Sequence, residues 1–388
     1  MGGLTRKAAI VGAYEHPSRL TGPLSTYQIQ AECAREALKQ AGLTIKDVDG
    51  FMNAGGGFDT MYVAEYLGLQ PDVLDTTQVG GSSFILHVAR AAAAIAAGQC
   101  ECVLITYGSN ARSSQRAVGT GRIGGPVMSP WPDSFEAPYG SVLAGMYATV
   151  MSRHMHDYGT KPEQFANISV VTRRHAAMNP DAMYRDPITI EDVLASRLIA
   201  WPLHMLECCV VSDGGGALVV TSPSVAKGCK TKPVWVLGAG EGYRHLASGK
   251  RDWTTIAAAQ SAPPAFAMAG VKHKDIDLAM VYDSFTITVL ASLESLGFCK
   301  KGEGGAFVEG NRLAIDGDLP MNTDGGGLSS NHPGMRGIFL LIEAVKQLRG
   351  DYKGTPRQVK DCKIALCHGT GGMLGSRHSG ETMILGRD

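Results

Sequence analysis

No run of apolar residues in this 388-residue chain approaches the roughly 20 needed to cross a bilayer, so no membrane span is expected. Neither sign of charge prevails: 36 lysines and arginines face 36 aspartates and glutamates, the basic residues are scattered, and nothing suggests a nucleic-acid or membrane-surface partner. The opening MGGLTRKAAIVGAYEH has no charged-then-apolar leader and runs straight into a strand pattern. It also lacks the serine or threonine that a myristoylation signal carries at its sixth position. Cysteine is present, but its nine copies form no even-numbered framework, and a reduced, cytoplasmic protein is expected. Metal-ligand spacing is missing too. His154 and His156 stand two apart, as do Cys100 and Cys102, and neither pair has companions at the right distance. There is no Walker loop, and VLGAGEGYR (236–244) places Tyr243 where a dinucleotide loop needs its third glycine.

Glycine, by contrast, is abundant at 49 residues, and it gathers in pairs and triplets at the ends of apolar segments. Strand patterns alternate with helical ones: KAAIVGAY, 26–41, VDGFMNA, 83–97, CVLITYG, and later VWVLGAG, 256–269, LAMVYDS, 337–348, KIALCHG. Such alternation predicts an α/β fold with parallel strands and helices on both faces. The pattern also repeats. AGLTIKDVD (41–49) returns as AGVKHKDID (269–277), and the helix–glycine–strand unit 84–109 returns at 338–372. Two matched segments in one order argue for a duplicated unit, with halves at 1–224 and 225–388. Between them, about 110–195, lies an insert rich in Pro, Met, His and Arg, a natural cover for a substrate (GPVMSPWPDSFEAPYG, SRHMHDYGTKPEQF).

One stretch asks for chemistry. In TQVGGSSFILHVAR (77–90) a glycine turn enters an apolar helix, which presents a ligand or nucleophile to the positive end of the helix dipole. The turn holds Gly80, Gly81, Ser82 and Ser83 and no cysteine. Either serine could cap the helix; a serine nucleophile would need a base beside it, and no triad pattern surrounds these two.

Four further motifs carry a family resemblance over essentially the whole chain. CCVVSDGGGALVVTS (208–222), YDSF (282–285), NHPG (331–334) and CHGTGG (367–372), with LGFCKKGEGGAFVEG (296–310), resemble the thiolase superfamily, in particular its sterol-carrier-protein-type thiolases and lipid-transfer-protein-like aldolases. The resemblance implies two duplicated mixed-sheet α/β halves with an inserted loop domain. It places the family's acyl-accepting cysteine at Gly81, so that thiol is absent here. It matches His332 to the histidine that binds the thioester oxygen or moves a proton. It matches Cys367 to the family's proton-shuttling cysteine, although a buried core cysteine is the plainer reading. His368 and Gly369 follow in the same loop, and with Gly81 and Ser83 they are candidates for the substrate and oxyanion contacts.

Tyr282 stands where the family usually has asparagine or histidine, a position that helps hold the thioester oxyanion. A phenol can donate a hydrogen bond there or pass on an alcohol's proton. The aldolase relatives also lack the cysteine and rely on a tyrosine here, but they tend to carry a second tyrosine where this chain has His332. The implied activity is therefore carbon–carbon bond making or breaking on an acyl-CoA thioester, as retro-aldol cleavage of a β-hydroxyacyl-CoA. Two alternatives remain open at this stage: acyl transfer through Ser82 or another cysteine, and a silent subunit that binds acyl-CoA or lipid. Coenzyme A enters as part of the substrate, with no covalently bound cofactor. Its phosphates are expected near Arg112, Arg153 or Arg173, because the guanidinium fork suits phosphate. A homodimer is expected, with 100–110 as candidate contacts, and an OB-fold and zinc-ribbon partner accompanies close relatives.

Overall fold

The computed structural model describes residues 3–115, 142–245 and 252–388. A nine-stranded sheet runs through the molecule in the order β3-β2-β4-β7-β1-β8-β11-β10-β9. Its strands are β1 (Ala9–Glu15), β2 (Gly50–Asn53), β3 (Val73–Asp75), β4 (Cys102–Ser109), β7 (Gly214–Thr221), β8 (Val234–Arg244), β9 (Leu278–Val281), β10 (Ile364–Met373) and β11 (Ser376–Gly386). A separate hairpin pairs β5 (Leu198–Ala200) with β6 (Leu203–His204). Among the described residues the helices of six residues or more are α1 (Thr26–Ala41), α2 (Asp59–Leu67), α3 (Ser83–Ala96), α4 (Leu143–Tyr158), α5 (Pro162–Ala177), α6 (Ile190–Ala195), α7 (Ala258–Ala269), α8 (Thr286–Leu296) and α9 (Gly337–Arg349).

The sheet is mixed, as the family resemblance implies, whereas the alternation of strand and helix patterns taken alone suggests parallel strands. β2 runs parallel to β3 and β4, and β9 parallel to β10, while the strands between them pair antiparallel. The reason is local for β11: only Leu374 and Gly375 separate it from β10, and a two-residue turn can join only antiparallel neighbours. The order outward from the β1–β8 junction is β7, β4, β2 on one side and β11, β10, β9 on the other.

Strand alternation splits the core into layers. Ile10, Val103, Ile105, Leu218, Met280 and Leu385 face α3 and α9, which lie together in the middle of the molecule. Their neighbours Ala9, Val11, Leu104 and Val219 face α1 on one outer side. Ala279, Val281, Leu366 and Ile384 face α7, α8 and the insert helices α4 and α5 on the other. α1 starts on a capping box, with Ser25 accepting from the Gln28 N–H, and ends on left-handed Gly42.

VLGAGEGYR is a strand, and its glycines serve packing. A Cβ on Gly238, Gly240 or Gly242 would stand 2.2, 2.0 and 2.6 Å from the carbonyl oxygens of Ala265, Ser261 and Ala257 on α7. Only bare backbone lets that helix lie so close. The insert folds onto the same outer face. There His154 of α4 binds Thr160 Oγ1 (2.8 Å) and the Glu294 carboxylate of α8 (3.1 Å), and Glu294 also takes Lys301 (2.9 Å). The Pro-rich part of the insert, 125–140, lies outside the described residues.

Candidate active site

Six segments converge on one cavity of about 420 Å³, one of them the end of β4 and the residues after it, with Tyr107, Ser109 and Ala111. The Gly80–Gly81 turn approaches from the start of α3, and Tyr282 and Ser284 from the end of β9. His332, Pro333, Gly334 and Met335 come from the loop before α9, and Thr370, Gly371 and Gly372 from the end of β10. The insert helix α4 adds Leu143 and Tyr147. These are strand ends and helix starts, where a parallel βα arrangement puts its crevices.

Tyr282 is the centre of the arrangement. Its hydroxyl lies 3.0 Å from His332 Nε2, with the two rings edge to face at 88°. The same oxygen accepts the backbone N–H of Arg336 at 3.2 Å, at the N-terminus of α9. Burial pushes the phenol well above its ordinary pKa, so it rests protonated. Burial, with the Arg336 charge, lowers His332 to about 3, so the imidazole rests neutral. Since Tyr282 accepts from Arg336, its own proton points to His332 Nε2. His332 Nδ1 has no hydrogen-bond partner.

Tyr282 also explains the missing cysteine. A Cβ built on Gly81 would lie 2.4 Å from the Tyr282 hydroxyl and 2.3 Å from its ring. The tyrosine fills the space that a side chain at residue 81 would need. Gly81 is thus bare because of packing; its φ is not among the positive ones, unlike that of Gly80 at +80°.

A buried ionic cluster fixes the loop that carries His332. Arg336, fully buried, binds Asp283 (3.1 Å) and Asp324 (2.6 Å) and reaches the backbone oxygen and side chain of Asn331. Asp283 also accepts the N–H groups of Gly327 (2.8 Å) and Leu328 (3.2 Å). Burial raises its carboxyl to about 6, which still leaves it ionised at neutral pH. From the other side, Tyr107 donates to the Pro333 carbonyl (2.8 Å) and accepts from the Met335 N–H (3.1 Å). Sequence reasoning missed Tyr107, Asp283 and Arg336. The signal that was present is the charge inside two motifs, the aspartate of YDSF and the arginine two residues after NHPG.

The other expected site residues fall elsewhere. Ser82 and Ser83 are buried and line no part of the cavity. Neither caps α3. Ser82 Oγ bonds Ser379 Oγ (2.7 Å), and Ser83 Oγ accepts from Val79 N–H (2.9 Å) and donates to the Gly80 carbonyl (2.7 Å). Cys367 lies inside β10, its thiol toward the Leu340 carbonyl at 3.6 Å and its pKa pushed up by burial. His368 turns away to Thr382 Oγ1 (2.9 Å), and what it gives the site is its backbone oxygen, which takes the Tyr282 N–H (2.9 Å). Gly369 packs on Ser82; the stretch that reaches the cavity is the next one, Thr370–Gly372. Position along the strand is the cause: β9 pairs with β10 only as far as His368, and the residues beyond that point reach the cavity.

Nor do the three arginines line the cavity. Arg173 is buried and holds Ser329 Oγ (2.8 Å) and the Asp186 carbonyl (3.1 Å). Arg153 pairs with Asp157 (2.6 Å), and Arg112 binds the Val211 carbonyl (3.2 Å). Among the described residues there is no cluster of side chains able to hold a metal ion and no helix long and apolar enough to cross a membrane.

With this geometry in hand, comparison with known proteins decides the family. The chain is 36% identical to a steroid side-chain-cleaving aldolase of Thermomonospora curvata, over 94% of this chain and 95% of that one. It belongs to the thiolase superfamily, in the sterol-carrier-protein-type aldolase branch. Residues 240–387 match the thiolase C-terminal domain-like family. An acetyl-CoA acetyltransferase of Methanothermobacter thermautotrophicus is 31% identical over 96% of this chain and 98% of that one, so the superfamily alone does not choose between lyase and transferase. Among solved structures, the Ltp2-ChsH2(DUF35) aldolase superposes with a TM-score of 0.87 at 32% identity, covering 99% of both chains.

Proposed function

We propose that this thiolase-superfamily enzyme cleaves a β-hydroxyacyl-CoA thioester by a retro-aldol reaction. The observation that carries the reading is Tyr282 standing in the space of a nucleophile, bonded to His332 and to the start of α9.

The substrate hydroxyl gives its proton to the Tyr282 oxygen as the phenol's own proton passes to His332 Nε2. The Cα–Cβ bond then breaks. Its electron pair moves onto Cα and the thioester oxygen as an enolate, and the alcohol carbon becomes a ketone or aldehyde. A proton returned to Cα yields the shorter acyl-CoA. The imidazole rests neutral, so Nε2 has a lone pair for that proton, and the positive ends of α3 and α9 favour the negative charge that develops.

Acyl transfer has less support, because neither nucleophile considered for it from the sequence stands in the cavity among the described residues. Ser82 is committed to Ser379, and among the described residues no cysteine lines the cavity. Nine unpaired thiols fit the reducing cytoplasm.

A second cavity of about 610 Å³ opens beside Gln78, Gly80 and Gly372, and it is walled by Arg244, His245 and Arg377. We place the coenzyme A phosphates there rather than at the three arginines named from sequence. A partner protein is part of the proposal, in line with the DUF35 component named in the related aldolase structure. So is a second copy of this chain. For that contact β4 is unsuitable, being an interior strand, whereas β3 is a sheet edge beside exposed Phe58, Met61, Tyr62 and Tyr66.

The direct test is incubation with β-hydroxyacyl-CoA esters, followed by chromatography of products and mass measurement of the intact protein. A ketone or aldehyde with a shortened acyl-CoA, and no added mass on the protein, is expected. An acyl adduct on the chain would overturn the lyase reading.

A further inference from the structure

The reaction cavity has a second branch, of about 360 Å³, that the chemistry above leaves unused. It shares Gln78, Tyr107, Ser109 and Met335 with the reaction cavity and runs toward α1 and α2. Its character differs from that of the basic branch: two of its walls are the side chains of Gln30 and Asp59. If the phosphates take the basic branch, the acyl group takes this one, and a purely hydrocarbon acyl group would leave its polar walls unmatched.

Gln30 is buried on α1. Its Oε1 accepts from Asn53 Nδ2 (2.5 Å) and from Thr106 Oγ1 (2.8 Å), which leaves the NH₂ end of the amide as a donor. Asp59 opens α2 and accepts the Tyr27 hydroxyl at 2.9 Å through one oxygen only. The other oxygen can only accept. A donor and an acceptor in the lining of one branch match a group that both accepts and donates. A ketone would satisfy the amide and leave the carboxylate without a donor.

We infer that this branch binds a hydroxyl group carried by the acyl chain, beyond the carbons that part in the reaction, with Asp59 and Gln30 determining the specificity. The inference rests on the lyase reading for its substrate class, but not for its binding.

The test uses three β-hydroxyacyl-CoA esters of one carbon skeleton, whose distal end carries a methylene, a ketone or a hydroxyl. Affinity is read by displacement at equilibrium, and kcat/KM from product release. The distal hydroxyl is expected to improve both at least about tenfold over the methylene, a modest value for a site that hydrogen-bonds a hydroxyl. Asp59→Leu should bring the ratio close to one. Asp59→Asn, which can still meet Tyr27, should reduce it and guards against a folding defect in the first variant. Equal affinity for the three esters, or a hydroxyl preference unchanged in both variants, overturns the inference. Cleavage of all three with equal efficiency keeps the lyase and removes the subsite. A hydroxyl preference in binding without any cleavage keeps the subsite and removes the lyase.

Discussion

Tyr282 and Gly81 form a single device: one residue gives up its side chain so that the other can stand beside His332. Tyr282→Phe keeps the ring and removes the proton relay. Turnover should fall about a hundredfold or more, the usual size of a lost acid–base group, while the melting temperature stays near that of the parent. Gly81→Cys restores the family's residue but not its chemistry, because the new side chain must displace the phenol. Cleavage should drop, and no acyl adduct should appear by mass spectrometry after exposure to acyl-CoA. The pH profile provides a third check. His332 is already neutral above about 3, so the rate should show no limb near 6.5, where an ordinary histidine titrates. A limb there that vanishes in His332→Ala would contradict the assignment.

Elements bring these residues together through close backbone approaches. The start of α9 presses on the turn before α3: a Cβ on Gly337 would stand 2.2 Å from the Gly81 carbonyl oxygen. β8 and α7 use the same means, and there it can be tested away from the chemistry. A methyl group on Gly240 would meet the Ser261 carbonyl oxygen at 2.0 Å. Gly240→Ala should therefore cost about 1–3 kcal/mol of unfolding free energy, read from urea titration, as overpacking usually does. The insert is held in a different way, by the satisfied polar joint of His154, Thr160, Glu294 and Lys301. That joint fixes the helix that carries Tyr147, whose hydroxyl donates to the Gly372 carbonyl at the cavity wall (3.1 Å).

At the scale of the whole molecule, one buried charge site stands apart from the reaction. Glu381 on β11 is 1% exposed, and neither carboxylate oxygen has a hydrogen-bond partner. Burial raises it to about 8. An unfolded glutamate ionises near 4.3. The folded state therefore holds this proton more tightly than the unfolded state does. The stability it contributes is full below about pH 4 and is lost as pH rises through about 8. Glu381→Gln should remove that slope. The variant should be more stable than its parent at pH 9 by roughly 1–3 kcal/mol, the cost of an unmatched buried polar group, with a smaller gap at pH 5. Denaturant titration at the two pH values decides it, and an equal difference at both would reject the account.

The α/β pattern and the repeated helix–glycine–strand unit were legible in the linear chain, and the family resemblance drew attention to Gly81, Tyr282 and His332. Periodicity and motif spacing are local properties, and the chain carries them without folding. Strand direction was not legible, because β7 and β11 run as their turns and neighbours in the sheet dictate. The facing of CHGTGG was not legible either: one strand sends Cys367 into the core and Gly372 to the cavity, and only the register against β9 and β11 sets which is which. Ser82 and Ser83 read as helix caps from their position alone, yet Ser82 finds Ser379, 297 residues away. Tyr107 had no pattern to announce it, and the charges of Asp283 and Arg336, though they stand in or beside two motifs, gave no hint of their partners. Their roles come from long-range hydrogen bonds, which exist only once packing has excluded water from around them.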